Sequence, residues 1–119
     1  MRKTIAVVLL LVVNVMAGDL TGKWSGAFKV AGGDHDVPQL FLLKQDGSKL
    51  TGSGGPNEGE QYPIENGRVD GDRVRFELTT GEWKFRYSLK ASEGKMVGDL
   101  ELKAVNDSRK ATVSLGRVK

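Results

Sequence analysis

The segment Trp83-Lys84-Phe85-Arg86-Tyr87-Ser88-Leu89-Lys90 places a large apolar side chain at every odd position and a polar one at every even position. Successive side chains of a strand point to opposite faces, so this run has one face to bury and one to wet. A helix would scatter the same residues around its circumference. Shorter alternating runs recur along the chain, broken at short intervals by Gly, Asp and Asn, and no stretch beyond residue 17 carries a helical period.

Turn positions convert the alternation into hairpins. A two-residue loop at Thr80-Gly81 sets Leu78 against Trp83, Phe76 against Phe85 and Val74 against Tyr87, with Glu77 facing Lys84 on the other side. A loop at Asp46-Gly47 sets Leu43 against Leu50, and one at Gly71-Asp72 sets Val69 against Val74. Asp-Gly and Gly-X tolerate the positive φ that such loops need. Around Ser92-Glu93-Gly94, Leu89 faces Met96 and Phe85 faces Leu100; near Asp107-Ser108, Leu102 faces Val113. The expectation is eight strands, roughly 22–30, 37–45, 48–54, 60–69, 72–79, 83–91, 95–104 and 110–118.

Sequential antiparallel strands with one apolar face must cover it. Eight can do so by closing into an up-and-down barrel, which also removes the exposed edges; a flattened barrel or sandwich is the alternative. Gly26, Gly52, Gly67 and Gly98 fall at inward positions. Strand glycines mark bends or close backbone approach, and they also leave room inside for a ligand.

Residues 1–17 read as a cleavable signal peptide. Arg2 and Lys3 precede an apolar run of about 11 residues, and Ala17 offers a small residue for cleavage. A membrane span needs roughly 17–25 residues. Residues 18–119 then form one domain. Removing Arg2 and Lys3 from the 18 basic residues leaves 16 against 15 acidic ones, so no bulk attraction to nucleic acid follows. The chain has no cysteine, which excludes disulfides and thiol chemistry. Small eukaryotic secreted domains commonly rely on disulfides, so a bacterial periplasmic or secreted location is expected.

Leu20-Thr21-Gly22-Lys23-Trp24 resembles the first strand of avidins, and its Gly-x-Trp is similar to the lipocalin opening. Asp46-Gly47 followed by Leu50-Thr51-Gly52 resembles the second avidin hairpin, and Lys110-Ala111-Thr112 the last avidin strand. The resemblance implies a calycin-like barrel with its mouth at one end. The biotin site does not carry over. Where avidins place a polar side chain after the Trp this chain has Gly26, and where they place an aromatic hydroxyl it has a position near Gly54. The chain also resembles small secreted bacterial β-domains with a Gly-x-Trp start. A bacterial metalloprotease inhibitor family shares that start but normally carries a disulfide.

The leading expectation is a non-catalytic protein that holds a small, partly apolar ligand in the barrel mouth. Trp24, Phe28, Trp83 and Tyr87 would supply the walls and Gln39 a polar anchor. The alternative is an interaction module, such as a protease inhibitor, using its basic outer wall or the segment 52–60, which reads as a mobile loop and candidate lid. Arg68, Arg73, Arg75, Lys84 and Arg86 point outward and would meet an acidic partner, with Arg75 facing Arg86 and Arg68 facing Arg75. Leu40 and Leu42 also point outward and would serve a dimer contact. Asp34-His35-Asp36 reads as a solvated turn, not a metal loop. His35, Glu58, Glu60 and Glu65 are poor candidates for catalysis, since nothing around them signals burial. No cofactor and no metal is expected.

Overall fold

The computed structural model describes residues 19–119; the expected leader, 1–17, lies outside the described residues. Nine strands follow one another: β1 (Gly22–Val30), β2 (Val37–Asp46), β3 (Lys49–Asn57), β4 (Glu60–Pro63), β5 (Glu65–Asp70), β6 (Arg73–Thr80), β7 (Trp83–Ser92), β8 (Lys95–Ala104) and β9 (Asp107–Arg117). Every pairing is antiparallel. β1 bonds to both β2 and β9, which closes the sheet on itself. β3 pairs with β5 near its start and with β4 further along, so β4 and β5 together occupy one place. The result is a closed eight-stranded up-and-down barrel, and the sandwich alternative falls away.

Two expected boundaries move. The single strand expected over 60–69 is interrupted at Ile64. Asn66 adopts φ of 53°, and the pairing of β5 with β6 slips between Glu65 and Arg68, as a bulge requires. The segment 52–60 is a hairpin, not a long loop: Gly54 pairs with Phe41, Gly55 with Leu40, and Asn57 with Glu60 across a tight turn. Glycines carry no side-chain alternation, and that hid the strand from a pattern-based reading.

The expected facings hold in parity more than in register. Val69 faces Val74 as expected. At the next hairpin Leu78 faces Phe85, Phe76 faces Tyr87 and Glu77 faces Arg86, two residues from expectation. Leu43 likewise meets Gly52, Leu89 meets Gly98, and Leu100 meets Tyr87. Leu102 faces Arg109, four residues away from the expected Val113. At the β2–β3 and β6–β7 hairpins the cause is the place of glycine in the loop. Gly47, Gly71 and Gly81, with φ of 63°, 64° and 56°, each take the first of two loop positions, as type II′ turns prefer. Setting Gly47 and Gly81 second produced the slip. Because each slip is even, every side chain still meets its expected face.

The inward face forms one core. Trp24, Phe41, Phe76, Tyr87, Leu50, Met96, Leu100 and Leu115 are almost wholly removed from water. The Phe41 ring meets Phe76 at 5.3 Å and Tyr87 at 5.4 Å edge to face, and Phe76 stacks on Tyr87 at 4.6 Å. The inward glycines mark backbone approach. A Cβ on Gly26 would lie 1.9 Å from the Ser114 carbonyl oxygen, on Gly52 2.0 Å from that of Leu42, on Gly67 2.0 Å from that of Leu50, and on Gly98 2.2 Å from that of Ser88.

Gly26→Ala is therefore expected to destabilise the barrel by about 2 kcal/mol or more, through overpacking against backbone. Gly116→Ala, where an added Cβ meets nothing within 4 Å, should stay within about 0.5 kcal/mol of the parent. Urea unfolding of both variants checks the contrast.

Candidate functional site

The two ends of the barrel differ. One carries the β2–β3, β5–β6 and β7–β8 turns together with the segment 19–21, and it is sealed. Leu20 is buried there, held by its N–H donating to Gln45 Oε1 at 2.9 Å. Trp24 Nε1 donates to the Leu20 carbonyl at 2.9 Å. Arg117 lies 4.6 Å above the Trp24 ring and donates to the carbonyls of Thr21 at 2.8 Å and Asp19 at 2.6 Å. One guanidinium thus joins the last strand, the first strand and the chain that precedes it, by cation–π attraction and charge-assisted hydrogen bonds. Trp24 accordingly sits at the closed end. Leu20, Gln45 and Arg117 were not among the expected site residues. Arg117 continues the inward series Ala111, Val113, Leu115, and a cation at an inward position was the available signal.

In the middle, the buried Tyr87 hydroxyl donates to Gln39 Oε1 at 2.5 Å, and Gln39 Nε2 donates to the Pro38 carbonyl at 3.0 Å. Burial pushes the Tyr87 phenol well above its ordinary range, so it stays a neutral donor. Both ends of the Gln39 amide are engaged within the protein.

The other end carries the 31–36 connection and the β3–β4, β6–β7 and β8–β9 turns. Here Val30, Val37, Trp83 and Phe85 are only half-buried over the core. The Phe85 ring meets Phe28 edge to face at 6.2 Å and stacks toward Tyr87 at 6.5 Å. Phe28, Trp83, Tyr87 and Gln39 therefore gather toward one end, and Trp24 lies apart. Phe85 was missing from the expected walls, although it shares their alternation.

The expected basic wall divides in two. Arg86 binds Glu77 at 3.2 Å and Glu101 at 3.5 Å, and Lys84 lies 3.7 Å from Glu77. Burial alone would raise the Glu77 carboxyl, but hydrogen bonds from Asn66 and Arg86 and the charges of Lys84 and Arg86 hold it below its ordinary value. Arg75 faces Ser88, not Arg86, which corrects the expected like-charge pair; the slip to Gly81-Glu82 as the loop moves Arg86 opposite Glu77. Arg68 does face Arg75.

The remaining candidates are exposed. His35 Nδ1 lies 3.0 Å from Asp34 Oδ1 in a solvated turn. Glu58 pairs with Lys23 at 3.0 Å, Glu60 accepts from the Tyr62 hydroxyl at 2.6 Å, and Glu65 from the Thr79 hydroxyl at 3.0 Å. Leu42 is exposed and Leu40 half-buried on the outer face. Among the described residues no three His, Asp or Glu side chains converge as metal ligands. Comparison with family models, with curated proteins and with solved structures returns no match.

Tyr87→Phe should cost about 1–2 kcal/mol, because it leaves Gln39 Oε1 buried without its donor; chemical denaturation checks this. Glu77 is more acidic in the fold than in the unfolded chain. Its contribution to stability is thus fully present above its ordinary value of 4.5 and is lost as the pH falls through the lower folded value. Glu77→Gln should flatten that part of the stability–pH profile measured in acid.

Proposed function

We propose that the protein is a non-catalytic binding protein of calycin-like architecture, exported by its leader, which takes a small, partly apolar ligand at the open end of the barrel. The observation that carries this reading is the asymmetry of the ends. Leu20 and Arg117 seal one. Half-buried Val30, Val37, Trp83 and Phe85 form the other, above Phe28. Aromatic walls with few polar groups suit apolar ligands. The core side chains fill the middle, as they do in small barrels, so the ligand sits on the rim, against Phe28 and Phe85, and not deep inside. The Gly-x-Trp first strand and the closed meander support the likeness to lipocalins and avidins. Gly26, at the position where avidins carry a polar side chain, speaks against biotin.

The neutral dye N-phenyl-1-naphthylamine is the test probe. It should brighten with the folded protein and quench Trp83. Phe85→Ser should weaken the dye by about tenfold, while Arg75→Gln leaves it unchanged. Equal binding by both variants and the parent would overturn the reading, as would no binding at all.

A further inference from the structure

A second site lies on the outside of the barrel. β6 to β8 carry a shallow hollow of about 360 Å³ on their solvent face, bounded by Arg73, Arg75, Ser88, Val97 and Asp99, with Asp72 and Lys90 at its edge. A smaller hollow of about 120 Å³ adjoins it, where Arg68, Arg73 and Arg75 meet beside Asp70. The hollow has a local cause. Ser88, the short residue between Arg75 and Asp99 in the register, faces both of them. Gly98 beside it carries no side chain and lies close against the Ser88 carbonyl.

Of the charges around it, Lys90 pairs with Asp72 at 3.9 Å. Among the described residues, no ion pair within 4.0 Å involves Arg68, Arg73, Arg75 or Asp99. Arg68 stands directly opposite Arg75, an arrangement that opposes folding by a few tenths of a kcal/mol. Arg73 faces Asp70 without closing a pair. The neighbouring Lys84 and Arg86 are neutralised by Glu77 and Glu101, so the wall is not uniformly cationic.

We propose that this hollow binds an acidic saccharide. Arg68, Arg73 and Arg75 would take its carboxylate, sulfate or phosphate, for which guanidinium forks are suited. Ser88 and the unpaired Asp99 carboxylate, at the other side of the hollow, would meet sugar hydroxyls. Val97, 48 % exposed, offers an apolar surface for a ring face. A nucleic acid fits less well, because single strands need exposed aromatic platforms, and the aromatic side chains of β6 and β7 belong to the core face. An acidic peptide such as polyglutamate offers no hydroxyls to meet Ser88 and Asp99, so it lacks the contacts that would offset the repulsion from the Asp99 carboxylate.

The test is a titration of the mature protein, followed by backbone amide shifts, at about 0.15 M ionic strength. The probes are galacturonate oligomers, neutral glucose oligomers, inorganic phosphate and polyglutamate. Galacturonate should bind, with shifts centred on residues 68, 75, 88 and 99, and the other three should bind at least about tenfold more weakly. Arg75→Gln should reduce galacturonate affinity by about tenfold or more, and Lys84→Gln should leave it unchanged. Asp99→Asn decides the chemistry: it should weaken a saccharide whose hydroxyls it contacts, but strengthen any plain anion. The proposal is overturned if galacturonate does not bind, if phosphate or polyglutamate binds as well, or if Asp99→Asn tightens binding. Because the dye site is at the rim, its response to Phe85→Ser is independent of every outcome here.

Discussion

The hydrogen bonding of β1 to both β2 and β9 is the constraint on which the rest depends. A sheet with one apolar face and, among the described residues, no helix to cover it must cover itself, and closure leaves no edge. Closure at this small radius brings carbonyl oxygens into the space a Cβ would occupy at Gly26, Gly52, Gly67 and Gly98. Glycine is therefore required where these strands approach their neighbours most closely. The same contraction brings Phe41, Phe76 and Tyr87 into contact and fills the interior.

With the interior filled, the binding we propose falls to the ends and the outer surface. At the sealed end Arg117 is committed to Trp24 and to two backbone carbonyls, and so serves stability. At the open end the aromatic side chains lie at the limit of the core, where water begins, and there an apolar ligand would gain most. On the outer wall, charge is distributed unevenly: Glu77 gathers Lys84 and Arg86, and the three guanidiniums of β5 and β6 are left without an acidic partner. The Tyr87–Gln39 bond beneath the rim shows why a polar group in the core need not be a ligand anchor. Its capacity is used inside the protein, which removes the cost of burying it.

Much of the fold was legible in the residues, and the reason is parity. Alternation reports which face a side chain takes, and each slip in register was even, so the core list survived almost intact. Glycine-rich stretches were illegible because they lack the side chains that carry the signal; residues 52–60 looked like a loop for that reason. The candidate sites were less legible. Whether Arg75 meets Arg86 or Ser88 depends on which loop position Gly81 takes. Trp24 and Phe28 share one strand and one face, yet they lie toward opposite ends of the barrel.

By itself, the sequence determined that the chain is all-β, which side chains face inward, roughly where most of the turns fall and that disulfide and thiol chemistry is excluded. Those properties are local: they follow from side-chain period and from the φ preference of turn glycines. Only the tertiary structure decided the closure of β1 on β9, the sealing of one end by Arg117, the filling of the interior and the division of the basic wall. Those depend on distances between residues far apart in the chain, set by register and curvature, which no local pattern encodes.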